Sequence, residues 1–251
     1  MRYFLKVRFQ GTCFSGWQYQ PGHRTVQGEI NNALQEILGH PIASMGCGRT
    51  DAGVHAMNQY MHFETHSPIS KNFLPHLNTL LPEDISALNL MVSNSENGHA
   101  RFSAKWRKYR YYLHFRKDPL LRFTSLRLRF NPCQEGLLAC AELLKHHHNY
   151  AAFGIKKDIS KTTFCHIQEA SWHFGKEQWY FEIQADRFLR GMVRMLVGSM
   201  LRICRPGQGI EEFENYLQEP NDGMARPAAE PQGLIFWDAG YPEDFFNPLA
   251  P

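Results

Sequence analysis

The chain has 251 residues, of which 43% are hydrophobic and 13% aromatic, and its formal net charge is +3. This composition is typical of a globular protein and excludes collagen-like and disordered chains. No apolar run approaches the ~20 residues that span a bilayer, and the first residues alternate instead of forming a signal-peptide core. These features predict a cytoplasmic protein without a membrane segment.

The N-terminal part of the chain is predicted to mix strands and helices. Residues 2–9 alternate apolar and charged side chains as a half-buried strand does, with Phe4 as the exception. Thr25 is a candidate N-cap for a helix that Gly39 ends. Weaker patterns predict a glycine-rich loop at 46–53, a strand at 58–64, a helix at 70–81 and a turn at 82–84.

The C-terminal part repeats this mixture. Residues 106–115 are predicted to form a strand with Tyr109, Tyr111 and Leu113 on one face. A helix at 135–147, a strand at 179–185 and a helix at 188–203 follow. These patterns predict an α+β chain with mostly antiparallel sheets.

A polar stretch at 92–98 is the best candidate for a domain boundary and gives domains at 1–98 and 99–251. The six cysteines form no C-x-x-C pair, so we expect free thiols in a reducing compartment and no structural zinc site. Neither a G-x-G-x-x-G nor a Walker sequence is present.

The charge is unevenly distributed along the chain. Ten Lys and Arg residues and a single acid, Asp118, lie between Arg101 and Arg129. Aromatic residues are interleaved with them, as on many nucleic-acid-binding surfaces. A solvated strand face would have the same composition, so both interpretations stay open.

A glycine-punctuated segment around Asp51 is the best candidate for chemistry. The sequence Gly-Cys-Gly-Arg-Thr-Asp-Ala-Gly-Val-His-Ala occupies residues 46–56. A carboxylate held rigidly in such a loop can act as a nucleophile or a general base. An Asx-type turn, in which Asp bonds its own backbone, explains the same pattern.

The loop at 46–56 resembles the signature loop of the tRNA pseudouridine synthase A family. Further matches lie in the family's order along nearly the whole chain, at residues 11–18, 102–111, 188–194 and 232–234. The resemblance implies two similar α+β halves joined around a central RNA-binding cleft. It implies conversion of uridine to pseudouridine in the anticodon stem–loop of tRNA, at positions 38–40, by a homodimer. Because this reaction is an isomerisation, we expect no cofactor or metal.

The resemblance also implies roles for individual residues. Asp51 is the essential carboxylate, and Arg194 pairs with it and favours its charged form. Tyr109 stacks under the flipped uracil and is a candidate for the loss of the C5 proton, and Leu234 covers the base from another side. Arg49 fills the space that the base vacates or holds phosphate. The basic residues expected to meet phosphates are Lys105, Arg107, Lys108 and Arg110.

Some positions depart from the family pattern. Gln10 stands where an acid is usual, and Gly191 and Met195 flank the arginine motif where His and Asn are common. Residues 148–150 read His-Asn-Tyr instead of His-Asp-Phe. None of these departures removes the catalytic set. A non-catalytic RNA-binding or RNA-folding paralogue of the same fold is the alternative, and an unrelated hydrolase that uses Asp51 as its nucleophile is a third possibility.

Overall fold

The computed structural model describes residues 1–155, 162–205, 209–218 and 226–248. The chain divides into two compact units. The first comprises Met1–Trp106 together with the segment that begins at Phe236, and the second comprises Arg107–Ile235. The domains predicted at 1–98 and 99–251 stay a prediction; the division between these compact units follows Trp106, and the segment from Phe236 belongs to the first unit.

The first unit contains a sheet whose strand pairs are antiparallel. Its strands are β1 (Arg2–Phe9), β2 (Met45–Gly46), β3 (His55–Glu64) and β4 (Ile85–Ser93), with a C-terminal edge strand at Phe246–Pro248. The edge strand pairs with β4, β4 with β1, β1 with β3, and β2 with β3. The helices of this unit are α1 (Val26–Leu38) and α2 (Phe73–Leu80).

Helix α1 begins and ends where its sequence predicts. The side chain of Thr25 accepts a hydrogen bond from the backbone of Gly28, which satisfies a donor of the first turn. Gly39 adopts a left-handed conformation with φ 74°, which ends the helix. The strand predicted at 2–9 is also confirmed as β1.

Phe4 shows why the C-terminal segment belongs to the first unit. Its ring is fully buried and lies edge-on to Phe245 and Phe246, with centroid distances of 5.5 and 5.3 Å. The apolar exception in β1 therefore packs against residues more than two hundred positions later in the sequence. Sequence alternation alone contains no sign of this contact.

The second unit has its own strands, which are mostly antiparallel. These are β5 (Trp106–His114), β6 (Leu126–Arg127), β7 (Ile167–Phe174) and β8 (Gln178–Ala185). Strand β8 pairs antiparallel with β5 and β7, and β6 pairs parallel with β5. The helices are α3 (Gln134–Lys145), α4 (Met192–Ile203) and α5 (Glu211–Gln218). Strand β9 (Leu234–Gly240) leads back to the first unit, whose edge strand at Phe246–Pro248 is β10.

The prediction of an α+β chain with mostly antiparallel strands is confirmed. One helix begins later than predicted, at Met192 and not at 188. Gly191 precedes it in a left-handed conformation with φ 73°, which cannot continue an α-helix. Arg190 therefore lies before α4, although the periodic pattern had included it on a helix face.

Candidate active-site residues

The loop at 46–54, which runs from the last residue of β2 to the start of β3, belongs to the first unit and is bonded at several backbone positions. Cys47 N donates to Tyr60 O at 2.8 Å, and Trp17 N donates to Thr50 O at 3.1 Å. Asp51 O accepts from Val54 N at 3.2 Å, which closes a tight turn. Asp51 is half-buried in this framework. These backbone bonds fix the position of Asp51, as expected for a carboxylate whose orientation matters for chemistry.

The N-terminal loop packs directly against this segment. A Cβ atom on Gly11 would lie 1.9 Å from Val54 O, and one on Gly16 would lie 2.7 Å from Thr50 O. Gly16 also has φ 95°, a conformation that favours glycine. His55 Nδ1 accepts a hydrogen bond from Gly11 N at 2.9 Å. The two sequence motifs of the first unit therefore form one closely packed structure.

Tyr109 lies on the buried face of β5 in the second unit and is 8% exposed. Its ring meets Phe188 edge-on at a centroid distance of 5.1 Å. Tyr111 and Leu113 share this face and are fully buried. The strand thus combines a core face with a tyrosine that is slightly less enclosed than its neighbours.

Arg194 is half-buried in the first turn of α4 and holds the chain segment that precedes β9. Its Nε donates to Ala229 O at 2.8 Å, and Ala229 N donates to Arg194 O at 2.9 Å. A Cβ atom on Gly198 would lie 2.2 Å from Pro227 O. This segment therefore lies close against α4, and Arg194 does not occupy a fully solvated helix face.

Leu234 follows a short 3-10 turn (Pro231–Gly233) and is 5% exposed. Gly233 lies so close to Tyr111 that a Cβ atom there would be 2.6 Å from the ring. Tyr111 also donates its hydroxyl hydrogen to Glu230 O at 2.7 Å. Burial raises the pKa of Tyr111, and the positive charge of Arg194 opposes that rise. In the second unit, therefore, β5, α4 and residues 229–234 come together around Tyr111.

The predicted site residues are distributed over both units. Arg49, Asp51 and Lys105 lie in the first unit. The second unit contains the others, namely Arg107, Lys108, Tyr109, Arg110, Arg194 and Leu234. The expected pairing of Asp51 with Arg194 stays a prediction.

Two of the basic residues expected to bind phosphate are paired with carboxylates. Lys108 Nζ lies 2.9 Å from a carboxylate oxygen of Glu169 and 3.3 Å from one of Glu182. Arg110 Nε lies 2.6 Å from Glu182. These pairs join β5 to β8 and β7 and reduce the positive charge available to phosphates. Lys105, in contrast, is exposed.

Gln59 belongs to the framework of the loop at 46–54 and is not among the residues predicted from the sequence. It lies on β3, is fully buried, and donates from Nε2 to Gly48 O at 2.8 Å. The signal is visible in the sequence, because Gln59 alternates with Met61 and Phe63 on the core face of a strand. A polar residue at such a position requires a hydrogen-bond partner.

In the described ranges, no group of three or more His, Cys, Asp or Glu side chains is arranged to hold a metal ion. No helix in the part of the chain that the structure describes is long and apolar enough to cross a membrane.

Comparison with known proteins connects these residues to one family. A family model described as tRNA pseudouridine synthase matches residues 140–242, which include Arg194 and Leu234. A protein of Gloeobacter violaceus named tRNA pseudouridine synthase A is 36% identical over 250 residues, covering 98% of this chain and 82% of the relative.

Two other relatives with the same name cover both chains almost completely. The protein of Parabacteroides distasonis is 37% identical over 247 residues, covering 98% of this chain and 98% of its own length. The protein of Chlorobium limicola is 39% identical over 246 residues, covering 94% of this chain and 97% of its own length. The similarity therefore extends over both units, including the loop around Asp51.

Proposed function

This chain belongs to the tRNA pseudouridine synthase A family, a family of isomerases, and we propose that it converts uridine to pseudouridine in the anticodon stem–loop of tRNA, at positions 38–40. The observation that carries the proposal is the loop at 46–54, which holds Asp51 between bonded backbone positions. Asp51, Tyr109 and Arg194, which we propose as the catalytic set on the resemblance of their motifs, are all present.

The reaction rearranges one nucleotide. The bond from C1′ of the ribose to N1 of the base breaks, the base turns, and a bond from C1′ to C5 forms. The hydrogen on C5 then leaves as a proton, and N1 gains one. Substrate and product are isomers, so the overall reaction needs no oxidant or reductant.

Asp51 is proposed as the essential carboxylate. Attack on the sugar, attack on the base and removal of a ribose proton all require an ionised group. Arg194 is proposed to pair with it, because an adjacent cation favours the charged form of a carboxyl group. The bond from Arg194 Nε to Ala229 O holds one edge of the guanidinium, so this group has a defined direction.

Tyr109 is proposed to stack on the flipped uracil and to accept or relay the C5 proton through its hydroxyl. Stacking of a base on an aromatic ring is worth roughly 1–3 kcal/mol, which offsets the cost of leaving the RNA stack. Phe188 supports the Tyr109 ring edge-on and so limits its rotation. Leu234 is proposed to exclude water from the base.

RNA binding is proposed to involve Arg49 and Lys105, which are exposed, together with Arg107, Lys108 and Arg110. Since Lys108 and Arg110 are paired with Glu182, we assign the larger contribution to Lys105. The proposal includes a homodimer that acts in the cytoplasm, and light scattering of the purified protein tests the dimer.

Release of tritium from tRNA labelled with [5-³H]uridine tests the proposed function. We expect release by the wild-type enzyme and a new pseudouridine in the anticodon stem–loop when positions are mapped. Release with modification confined to another arm would contradict the proposed location. Tight tRNA binding without release would instead support the non-catalytic RNA-binding alternative.

A further inference from the structure

The side chain of Gln59 bonds the loop that holds Arg49 and Asp51. Gln59 is fully buried on β3, and its Nε2 donates to Gly48 O at 2.8 Å. Its Oε1 accepts no hydrogen bond from the residues that the structure describes. Among those residues, the hydrogen bond to Gly48 O is therefore the interaction that the side-chain amide of Gln59 makes.

Gly48 is the point of the loop where such a bond matters. A Cβ atom on Gly48 would find its nearest neighbour 4.0 Å away, at Phe236. Gly46, two residues earlier, is enclosed, since a Cβ atom there would lie 2.7 Å from Trp17. Glycine has the greatest backbone freedom of all residues, so packing alone restrains the peptide after Gly48 only weakly.

The bonded positions on either side show what Gln59 adds. The bonds at Cys47 and Thr50 join backbone to backbone, and neither fixes the peptide plane between Gly48 and Arg49. That plane contains Gly48 O, which Gln59 holds directly. Rotation of this peptide would displace Arg49 and, two residues further on, Asp51.

We propose that Gln59 is a positioning residue for pseudouridine formation, which fixes the Gly48–Arg49 peptide and thereby the placement of Arg49 and Asp51. The inference rests on the proposed function. It assigns to Gln59 no contact with the substrate.

A purely structural role for Gln59 is the competing explanation, and Gln27 supplies the matched control. Gln27 is a second buried glutamine of the first unit, 6% exposed, and its Nε2 donates to Ser44 O at 2.7 Å. Its Oε1 accepts from Gln18 Nε2 and Tyr19 N. Gln27 therefore makes more hydrogen bonds than Gln59 but none to the loop at 46–54.

The experiment compares Gln59→Met and Gln27→Met, which remove the same group from the two places. Each variant is assayed well below its unfolding midpoint for single-turnover tritium release at saturating tRNA, and for tRNA affinity. For Gln59→Met we expect a roughly 10- to 100-fold slower rate with little change in affinity, as for a small misplacement of reacting groups. For Gln27→Met we expect the larger loss of stability and a rate close to wild type.

A Gln59→Met rate within about threefold of wild type would overturn the proposal. Equal losses of rate in both variants would also overturn it, because general destabilisation then suffices. If Gln59→Met does not fold, Gln59→Asn keeps an amide but withdraws it by one methylene, and the same rate loss is expected.

A second measurement does not depend on activity. Hydrogen exchange of a peptide that covers residues 46–54 is expected to be faster in Gln59→Met than in wild type and unchanged in Gln27→Met. Unchanged exchange in Gln59→Met would contradict the positioning role whether or not the enzyme forms pseudouridine. Absence of tritium release by the wild type would contradict the proposed function alone.

Discussion

Two tyrosines on the same face of β5 are predicted to respond very differently to loss of their hydroxyl groups. Tyr111 is fully buried, and its hydroxyl donates to Glu230 O at 2.7 Å. Tyr111→Phe keeps the ring that packs against Gly233 and removes only this hydrogen bond. Tyr109→Phe removes the hydroxyl that we propose to handle the C5 proton.

The expected cost of Tyr111→Phe follows from the surroundings of the acceptor. A buried acceptor left without a partner costs about 1–3 kcal/mol, whereas the net value of an ordinary hydrogen bond is about 1 kcal/mol. Because Glu230 is an exposed residue, its carbonyl group can turn to water, so we expect a loss of about 1 kcal/mol. For a chain of this size, that loss lowers the melting temperature by about 2–4 °C.

Thermal unfolding and single-turnover tritium release measure the two effects separately. Tyr111→Phe should lower the melting temperature by this amount and keep a rate within a few-fold of wild type. Tyr109→Phe should retain tRNA affinity and lose most of the rate. An unchanged melting temperature for Tyr111→Phe would refute the reasoning about its hydrogen bond, and equal rate losses would refute the division of roles.

Other predictions concern pH, charge and the arginine of α4. Burial lowers the pKa of His62 to about 4, so the unfolded chain binds more protons between that pH and the ordinary value near 6.5. The free energy of unfolding should therefore fall as pH is lowered through this window. Denaturant titrations of His62→Asn should show a flatter dependence of this free energy on pH, and an equally steep dependence would exclude His62 as the cause. Lys105→Gln should weaken tRNA binding and reduce its salt dependence by about one phosphate contact. Lys108→Gln should have a smaller effect on both, and filter-binding titrations of the two variants over a salt series check this difference. Arg194→Lys keeps the charge but not the planar guanidinium, and tritium-release assays should show a rate at least about tenfold slower; full activity would show that charge alone suffices.

The elements that the sequence predicts well are those whose signals are local. Thr25 and Gly39 mark the ends of α1 through backbone hydrogen bonds and conformation close to the helix. Alternation over neighbouring residues predicts the buried face of β5, on which Tyr109 and Tyr111 lie. In both cases, residues adjacent in the sequence contain the physical cause.

Elements that depend on distant contacts were not predictable in this way. Strand β4 was not predicted because its pairing with β1 shifts register between Lys6 and Val7, which interrupts the alternation of its side chains. The ion pairs of Lys108 and Arg110 depend on Glu182, more than seventy positions later. A charge count along the chain therefore identified a basic segment but not the partial neutralisation of its charge.

The candidate site shows the same division. The glycines, Asp51 and Arg49 are recognisable in the sequence because they lie within one short segment. Gln59 is eight residues beyond Asp51 on a different element, and only the fold shows that its amide reaches Gly48. The framework that holds the loop at 46–54 is thus harder to predict than the loop itself.

Tritium release from [5-³H]uridine-labelled tRNA by wild type and Asp51→Asn, with tRNA affinity measured for both, tests the central claim most directly. Asp51→Asn preserves size and removes only the negative charge. We predict release by the wild type, no release by Asp51→Asn, and nearly equal affinities. Residual turnover by Asp51→Asn above a few per cent of wild type would contradict the assignment of Asp51 as the essential carboxylate.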